Sequence, residues 1–243
     1  LKPLGDSEST SLKLVTDRWV KEINQSKESK FFTLLHYDPP INEVNPTESL
    51  EINNKFIRNN DVSHNLEVSR YTQSIREVDK EIGRLIKTIK ERDLLKNTIL
   101  ILTSDHGYEL DDYQENYYGH SSNYSPAQTK VPLRIIWPSK DPKKYSFRSS
   151  HHDIAPTLMK EVLGCSNDYS DYSTGNSLFD QKPWSYLIAG SYDSFSILTD
   201  KKTITSYGAY FEVRDENYNL TKIEDSDYKD LEDAISDMSE YYK

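Results

Sequence analysis

Apolar residues recur on two different periods along this chain. Val68, Tyr71, Ile75, Val78, Ile82, Leu85, Ile86 and Ile89 fall at steps of three and four. That spacing lines one face of an α-helix for roughly six turns, and such a stripe packs on a sheet. Leu12, Val15, Trp19, Val20 and Ile23 repeat the pattern and predict a surface helix over residues 12–25. Residues 98–102 form an unbroken β-branched and apolar run, which suits a strand covered on both faces, as central parallel strands are. Thr103, Ser104, Asp105 and His106 follow abruptly, and Gly107 lets the backbone turn.

Shorter runs complete the pattern. Residues 31–36 have strand character and end at His36, and residues 131–137 read as a buried strand stopped by Pro138. Residues 37–65, rich in Asn, Pro, Asp and Glu, form a loop long enough to be a lid or a mobile segment. Asp153 is a helix-cap candidate ahead of an apolar helix from Ile154, with Pro156 in its first turn and Gly164 as its stop. Residues 186–190, 195–199, 203–207 and 210–214 are four short strands in a meander. Tyr228, Leu231, Ile235 and Met238 predict a closing surface helix. Helix followed by buried strand is half of a βαβ unit. The expected fold is therefore α/β, a mostly parallel sheet flanked by helices, with a small C-terminal antiparallel sheet plus helix. Residues 1–183 form the main domain on this reading, and residues 184–243 a small α+β subdomain.

Charge narrows the function classes. A formal net charge of −10 and a pI near 5.1 argue against nucleic acid as a partner and against bulk attraction to an anionic membrane. The single Cys165 cannot form an internal disulfide, and after a helix stop it reads as a small buried hydrophobe. No apolar run approaches membrane-spanning length and no signal peptide is visible. Leu1, in place of Met, implies a piece of a longer chain with any anchor upstream.

Asp105 and His106 sit where open α/β sheets place their ligands, beyond the carboxyl end of a strand. A carboxylate beside an imidazole can share a cation, and His120 on a glycine-flanked loop can complete or flank the site. Such a donor set suits zinc or manganese better than calcium, which prefers oxygen shells. By spacing alone, an Asp-His pair in a loop is more often a solvent-facing or capping pair than a metal site. His151 and His152 offer no ligand spacing, and capping accounts for Asp153 beside them. The tyrosine-rich loop of residues 108–124 either packs over the sheet edge or lines a cleft. No Gly-rich phosphate loop and no Gly-x-Ser-x-Gly elbow is present.

Taken in order, these motifs resemble the alkaline phosphatase and sulfatase superfamily over residues 31–179. Tyr71, Asp79 and Gly83 look like its long helix, and residues 97–107 like its metal strand. Tyr118-Gly119-His120, Gln128 and Val131-Pro132-Leu133 resemble its following loop and strand. His152-Asp153-Ile154 with Pro156-Thr157-Leu158, and Gly175 with Ser177-Leu178, resemble its closing helix and linker. The resemblance implies that Asp105 and His106 are metal ligands, with zinc or manganese more expected than calcium because His106 stands where calcium sulfatases commonly carry Asn. It implies a contact to substrate or to a second ion for His120 and, more loosely, for His36. The superfamily's nucleophile precedes the matched segment, so this chain is expected to be an incomplete, inactive part of a hydrolase or phosphotransferase. The substrate would be a phosphate ester more readily than a sulfate ester.

Residues 163–179 and 186–198 narrow the resemblance to the periplasmic domain of the YejM/PbgA family of Gram-negative inner-membrane proteins. That likeness implies an upstream membrane domain as partner. It also carries the rival reading, a lipid-sensing regulator that binds cardiolipin or lipopolysaccharide head groups without catalysis.

Overall fold

A computed structural model describes residues 12–26, 30–38, 56–121 and 123–240. The chain divides into two compact units. Unit 1 comprises Leu1–Thr103, Leu110–Tyr118 and Pro132–Asp141; unit 2 comprises Ser104–Glu109, Gly119–Val131 and Pro142–Lys243.

In unit 1 the two helical stripes meet each other. Trp19 of α1 (Leu12–Gln25) packs with Leu85 and Ile89 of α2 (Val62–Glu91), and Leu35 and Leu100 close over the cluster. Arg84 of α2 ties the pair by bonding both Asp17 and Glu81. α2 begins six residues ahead of its apolar stripe, inside the stretch expected to be loop, because the Asp61 side chain accepts from the His64 N–H at 2.9 Å and caps the first turn. The rest of that loop, residues 39–55, lies outside the described residues.

The expected mostly parallel sheet is not what the chain builds. β1 (Leu100–Thr103) pairs antiparallel with β4 (Leu133–Ile136), in a register that sets Leu100 against Ile136 and Thr103 against Leu133. β2 (Glu109–Leu110) and β3 (Tyr118–Gly119) form a second two-stranded sheet, and every ladder among the described residues is antiparallel. The reason lies in the connections. A parallel return needs a crossover of a dozen or more residues, usually helical, whereas among the described residues the only helix between β1 and β4 is the single turn α3 (Pro126–Thr129). Residues 31–36, expected as a strand, form no ladder, and Phe32 and Leu34 are 74% and 79% exposed. β1 is accordingly half-buried and not covered on both faces.

Unit 2 holds the meander as expected: β5 (Tyr186–Gly190), β6 (Phe195–Thr199), β7 (Lys202–Ser206) and β8 (Phe211–Asp215) in sequential antiparallel order. Ile197, Ile204 and Val213 point to one face and pack with Ala234 of α5 (Tyr228–Glu240), so the closing helix covers the sheet. α4 (Ile154–Glu161) starts where expected and its chain leaves through Gly164 at φ +68°. No helix among the described residues is long and apolar enough to cross a membrane.

One buried ion pair is expected to make this unit acid-sensitive. Lys202 Nζ lies 2.5 Å from Asp227 Oδ2, which also accepts from the Glu224 N–H at 2.8 Å. Burial acts to raise the Asp227 carboxyl, but the Lys202 hydrogen bond and charge outweigh it and hold the pKa below the ordinary carboxylate value. A depressed carboxyl contributes stability that is complete above its unfolded pKa, about 4, and is lost as pH falls through the lower folded value. Urea midpoints measured from about pH 6 down to pH 2 are therefore expected to fall below pH 4 more steeply for the wild type than for Asp227→Asn. Parallel curves would refute the assignment.

Candidate functional site

The residues singled out by sequence divide between the units. His36 lies in unit 1 and is exposed, while Asp105, His106 and His120 lie in unit 2. There Asp105, His106, His120, His151 and His152 all line one cleft of about 820 Å³.

Two segments form its polar wall, and close backbone approach joins them. Gly107 N–H donates to Gln128 O at 2.7 Å, and a Cβ at Gly107 would stand 2.0 Å from Ala127 O. Only glycine permits that contact. Two residues on, Glu109 is fully buried, and its Oε2 accepts from Asn123 Nδ2 at 3.1 Å, Ser125 Oγ at 2.7 Å and Gln128 Nε2 at 2.9 Å. One carboxylate thereby anchors the loop that carries His120 to the turn that carries Asp105 and His106. The result is a stack: the His106 and His120 rings lie 4.0 Å apart at 24°.

The protons on His106 follow from its partner. Nδ1 lies 2.8 Å from Gly107 O, which can only accept, so Nδ1 carries the hydrogen and the neutral ring presents an Nε2 lone pair. Asp105 Oδ1 accepts from the His106 N–H at 2.9 Å, and Oδ2 lies 3.7 Å from Nε2. Two ligands of one tetrahedral zinc sit about 3.4 Å apart, so Oδ2 and Nε2 fit a common divalent ion with a shift of a few tenths of an ångström. The backbone carbonyl behind Nδ1 is the partner a metal-bound histidine uses to fix its ring. His120 cannot join them on the same ion, because lone pairs in two nearly parallel rings do not converge within bonding distance. Its Nδ1 is instead bonded to Ser121 Oγ at 2.7 Å. Among the described residues no three His, Cys, Asp or Glu side chains form a ligand group. Asp105 and His106 are the pair whose geometry fits one ion.

His151 and His152 also enter the cleft. Asp153, expected to cap the following helix, is instead the reciprocal member of a capping box. Ser150 Oγ accepts from the His152 N–H, and Asp153 Oδ2 accepts from the Ser150 N–H at 2.7 Å. Capping uses the backbone of His152 and leaves both rings for the cleft. His151 Nε2 bonds Ser104 O at 2.8 Å and His152 Nδ1 bonds Thr174 Oγ1 at 2.6 Å. Asp153 itself is buried and also accepts from Asn176 N at 2.8 Å and Trp184 Nε1 at 3.0 Å. The sequence signal was the unusual pair of adjacent histidines, which capping explained without using their side chains. The rest of the lining comes from β5, through Leu187, Ile188 and Ala189, and from Met238 of α5.

The family model described as Sulfatase matches residues 3–164. The chain is a member of the sulfatase family. This sulfatase-family chain is 28% identical over 138 residues to inner membrane protein YejM of Salmonella typhimurium, covering 56% of the chain and 23% of YejM. The phosphonate monoester hydrolase SpPMH from Silicibacter pomeroyi superposes with a TM-score of 0.60 at 18% identity, over 83% of this chain and 45% of that one. A protein in the alkaline phosphatase superfamily from Vibrio parahaemolyticus gives 0.57 at 20% identity, over 95% of this chain and 54% of that one. These likenesses show the sulfatase and alkaline phosphatase superfamily fold. The chain spans 23% of the length of YejM and about half of each solved structure.

Proposed function

We propose that this chain is part of a periplasmic, membrane-anchored, metal-dependent hydrolase or phosphotransferase of the sulfatase family that acts on phosphate esters in preference to sulfate esters. The observation that supports it best is the convergence of Asp105 Oδ2 and His106 Nε2 at 3.7 Å, with the His106 ring fixed through Gly107 O. Asp105 and His106 would hold a zinc or manganese ion, whose chemistry at this place is to polarise an ester oxygen. His120, braced by Ser121, would contact the transferring group from the face of the stack. His151 and His152 would hydrogen-bond the anionic oxygens from the adjacent wall. His36 is a further substrate contact on this reading. Anchoring follows the likeness to the inner membrane protein YejM, whose remaining length would supply the membrane partner.

Metal analysis of the full-length protein after dialysis, with Asp105→Ala beside the wild type, is the test. Stoichiometric zinc or manganese in the wild type, lost in the variant together with hydrolysis of aryl phosphates, is expected. A metal-free wild type that still binds cardiolipin or lipopolysaccharide would overturn the proposal and favour the lipid-sensing regulator instead.

A further inference from the structure

We infer that Thr174 is a positioning residue. Its hydroxyl donates to His152 Nδ1 and holds the ring in the tautomer with its hydrogen on Nε2, which makes His152 an uncharged hydrogen-bond donor to an anionic oxygen of the ester. The donor role rests on the proposed function; the tautomer does not.

The His152 ring is held from several directions. Thr174 Oγ1 lies 2.6 Å from His152 Nδ1, across 22 positions of sequence. One residue earlier, Ser173 Oγ donates to His152 O at 2.9 Å and accepts from the Gly175 N–H at 3.0 Å. The segment that carries Thr174 is thereby tied to the backbone of the histidine it serves, and the close approach of Gly175 to His152 O keeps it there. Trp184 meets the ring in a T-shaped contact, with centroids 6.1 Å apart at 71°, and its own Nε1 is fixed on Asp153 Oδ2 at 3.0 Å. Threonine is stiff at χ1, so the hydroxyl is preset as well. Nε2 is the polar ring atom that remains. Among the described residues it takes no hydrogen bond, and His152 lines the same cleft as Asp105, His106 and His120.

A hydroxyl can donate or accept, and its surroundings decide between the two. The bond to His152 is the only hydrogen bond of the Thr174 side chain among the described residues. Were the hydrogen on Nδ1, Thr174 would accept it and its own hydrogen would have no protein acceptor. Donation uses that hydrogen and leaves Nε2 as an N–H. His106 is the opposite case, because Gly107 O can only accept and so places the hydrogen on Nδ1. The cleft therefore holds two imidazoles in opposite tautomers. His106 presents a lone pair, which suits a cation, and His152 presents an N–H, which suits an anion.

Long-range proton–nitrogen NMR spectra of the histidine-labelled 243-residue chain test the tautomer. They are recorded at about pH 8.5, above the ordinary histidine pKa of about 6.5, and His152 is identified by the signals lost in His152→Ala. The wild type is expected to show a protonated Nε2 and a bare, hydrogen-bonded Nδ1. Thr174→Val keeps the side-chain shape without the hydroxyl and should move both signals toward the average of a ring exchanging between tautomers. Thr174→Ser should restore the wild-type pattern. Thr174 is exposed, and unmoved signals from the other histidines verify that the valine variant is folded. Hydrogen on Nδ1 in the wild type, or a His152 pattern that Thr174→Val leaves unchanged, overturns the inference.

Inorganic phosphate titrated into the same samples with zinc present tests the donor role. It is expected to shift the His152 Nε2 signal, with a dissociation constant raised about threefold in Thr174→Val because only part of the population keeps the donor. In His152→Ala, followed by the phosphorus line, the rise should be about tenfold. No shift of His152 at millimolar phosphate overturns the donor role. Phosphate held by His152 in a full-length protein that hydrolyses no aryl phosphate counts against the hydrolase alone. Hydrolysis by a protein whose His152 signal phosphate leaves unmoved counts against the donor role alone.

Discussion

Gly175→Ala is expected to lower the unfolding free energy by about 3 kcal/mol and to detach the His152 wall of the cleft. The added Cβ would stand 2.1 Å from His152 O, 2.3 Å from its carbonyl carbon and 2.7 Å from Asp153 N. All three are backbone atoms, so no side-chain rotation relieves the clash. Ser173 Oγ, which accepts from the Gly175 N–H and donates to His152 O, would be dragged with the shift. Urea denaturation with an unchanged slope and a lowered midpoint is the readout. Gly83→Ala is the control, because nothing lies within 4 Å of a Cβ at that exposed position of α2. There the lower unfolded-state entropy and better helix propensity of alanine should stabilise by up to about 1 kcal/mol. A Gly175→Ala protein as stable as the wild type would mean that the linker does not press against the His151–Asp153 turn.

Asp153→Ala carries the other large effect, about 4 kcal/mol. Its two oxygens accept from Ser150 N, Asn176 N and Trp184 Nε1, all within 3.1 Å, and the side chain is buried. Truncation leaves three donors without an acceptor, and unsatisfied buried groups cost more than the net value of the bonds they made. Asp153→Asn keeps one acceptor oxygen but turns an NH₂ toward donors, and is expected to recover only part of the loss. Trp184 lines the cleft and reports the change directly. Its fluorescence should shift to the red as the indole loses its partner and meets water. Unchanged emission in Asp153→Ala would show that the indole does not depend on this carboxylate.

These two residues also show where sequence reading stops. Asp153 looks like a helix cap because an acidic residue precedes an apolar run, yet Ser150 does the capping and Asp153 reaches residues 23 and 31 positions away. The Asn97-to-Gly107 motif marks Asp105 and His106 as polar residues at a strand exit, and β1 ends at Thr103, two residues ahead of Asp105. Nothing in that spacing signals that Glu109, an ordinary residue in a tyrosine-rich loop, is fully buried and gathers Asn123, Ser125 and Gln128. The pairing direction of β1 escapes the sequence for a similar reason. An apolar run specifies burial, but ladder direction depends on what lies between the strands.

By itself, the sequence determined the elements whose signal is local: α1 and α2 from their three- and four-residue steps, the four strands of the meander from short runs between turns, and α5 from its closing stripe. Period is a property of neighbouring residues, so it survives without knowledge of the fold. Tertiary structure alone decided that β1 runs antiparallel to β4, and that His151 and His152 share a cleft with Asp105, His106 and His120. The contact from His151 Nε2 to Ser104 O spans 47 residues, and no periodicity encodes a hydrogen bond between positions that only chain reversal brings together.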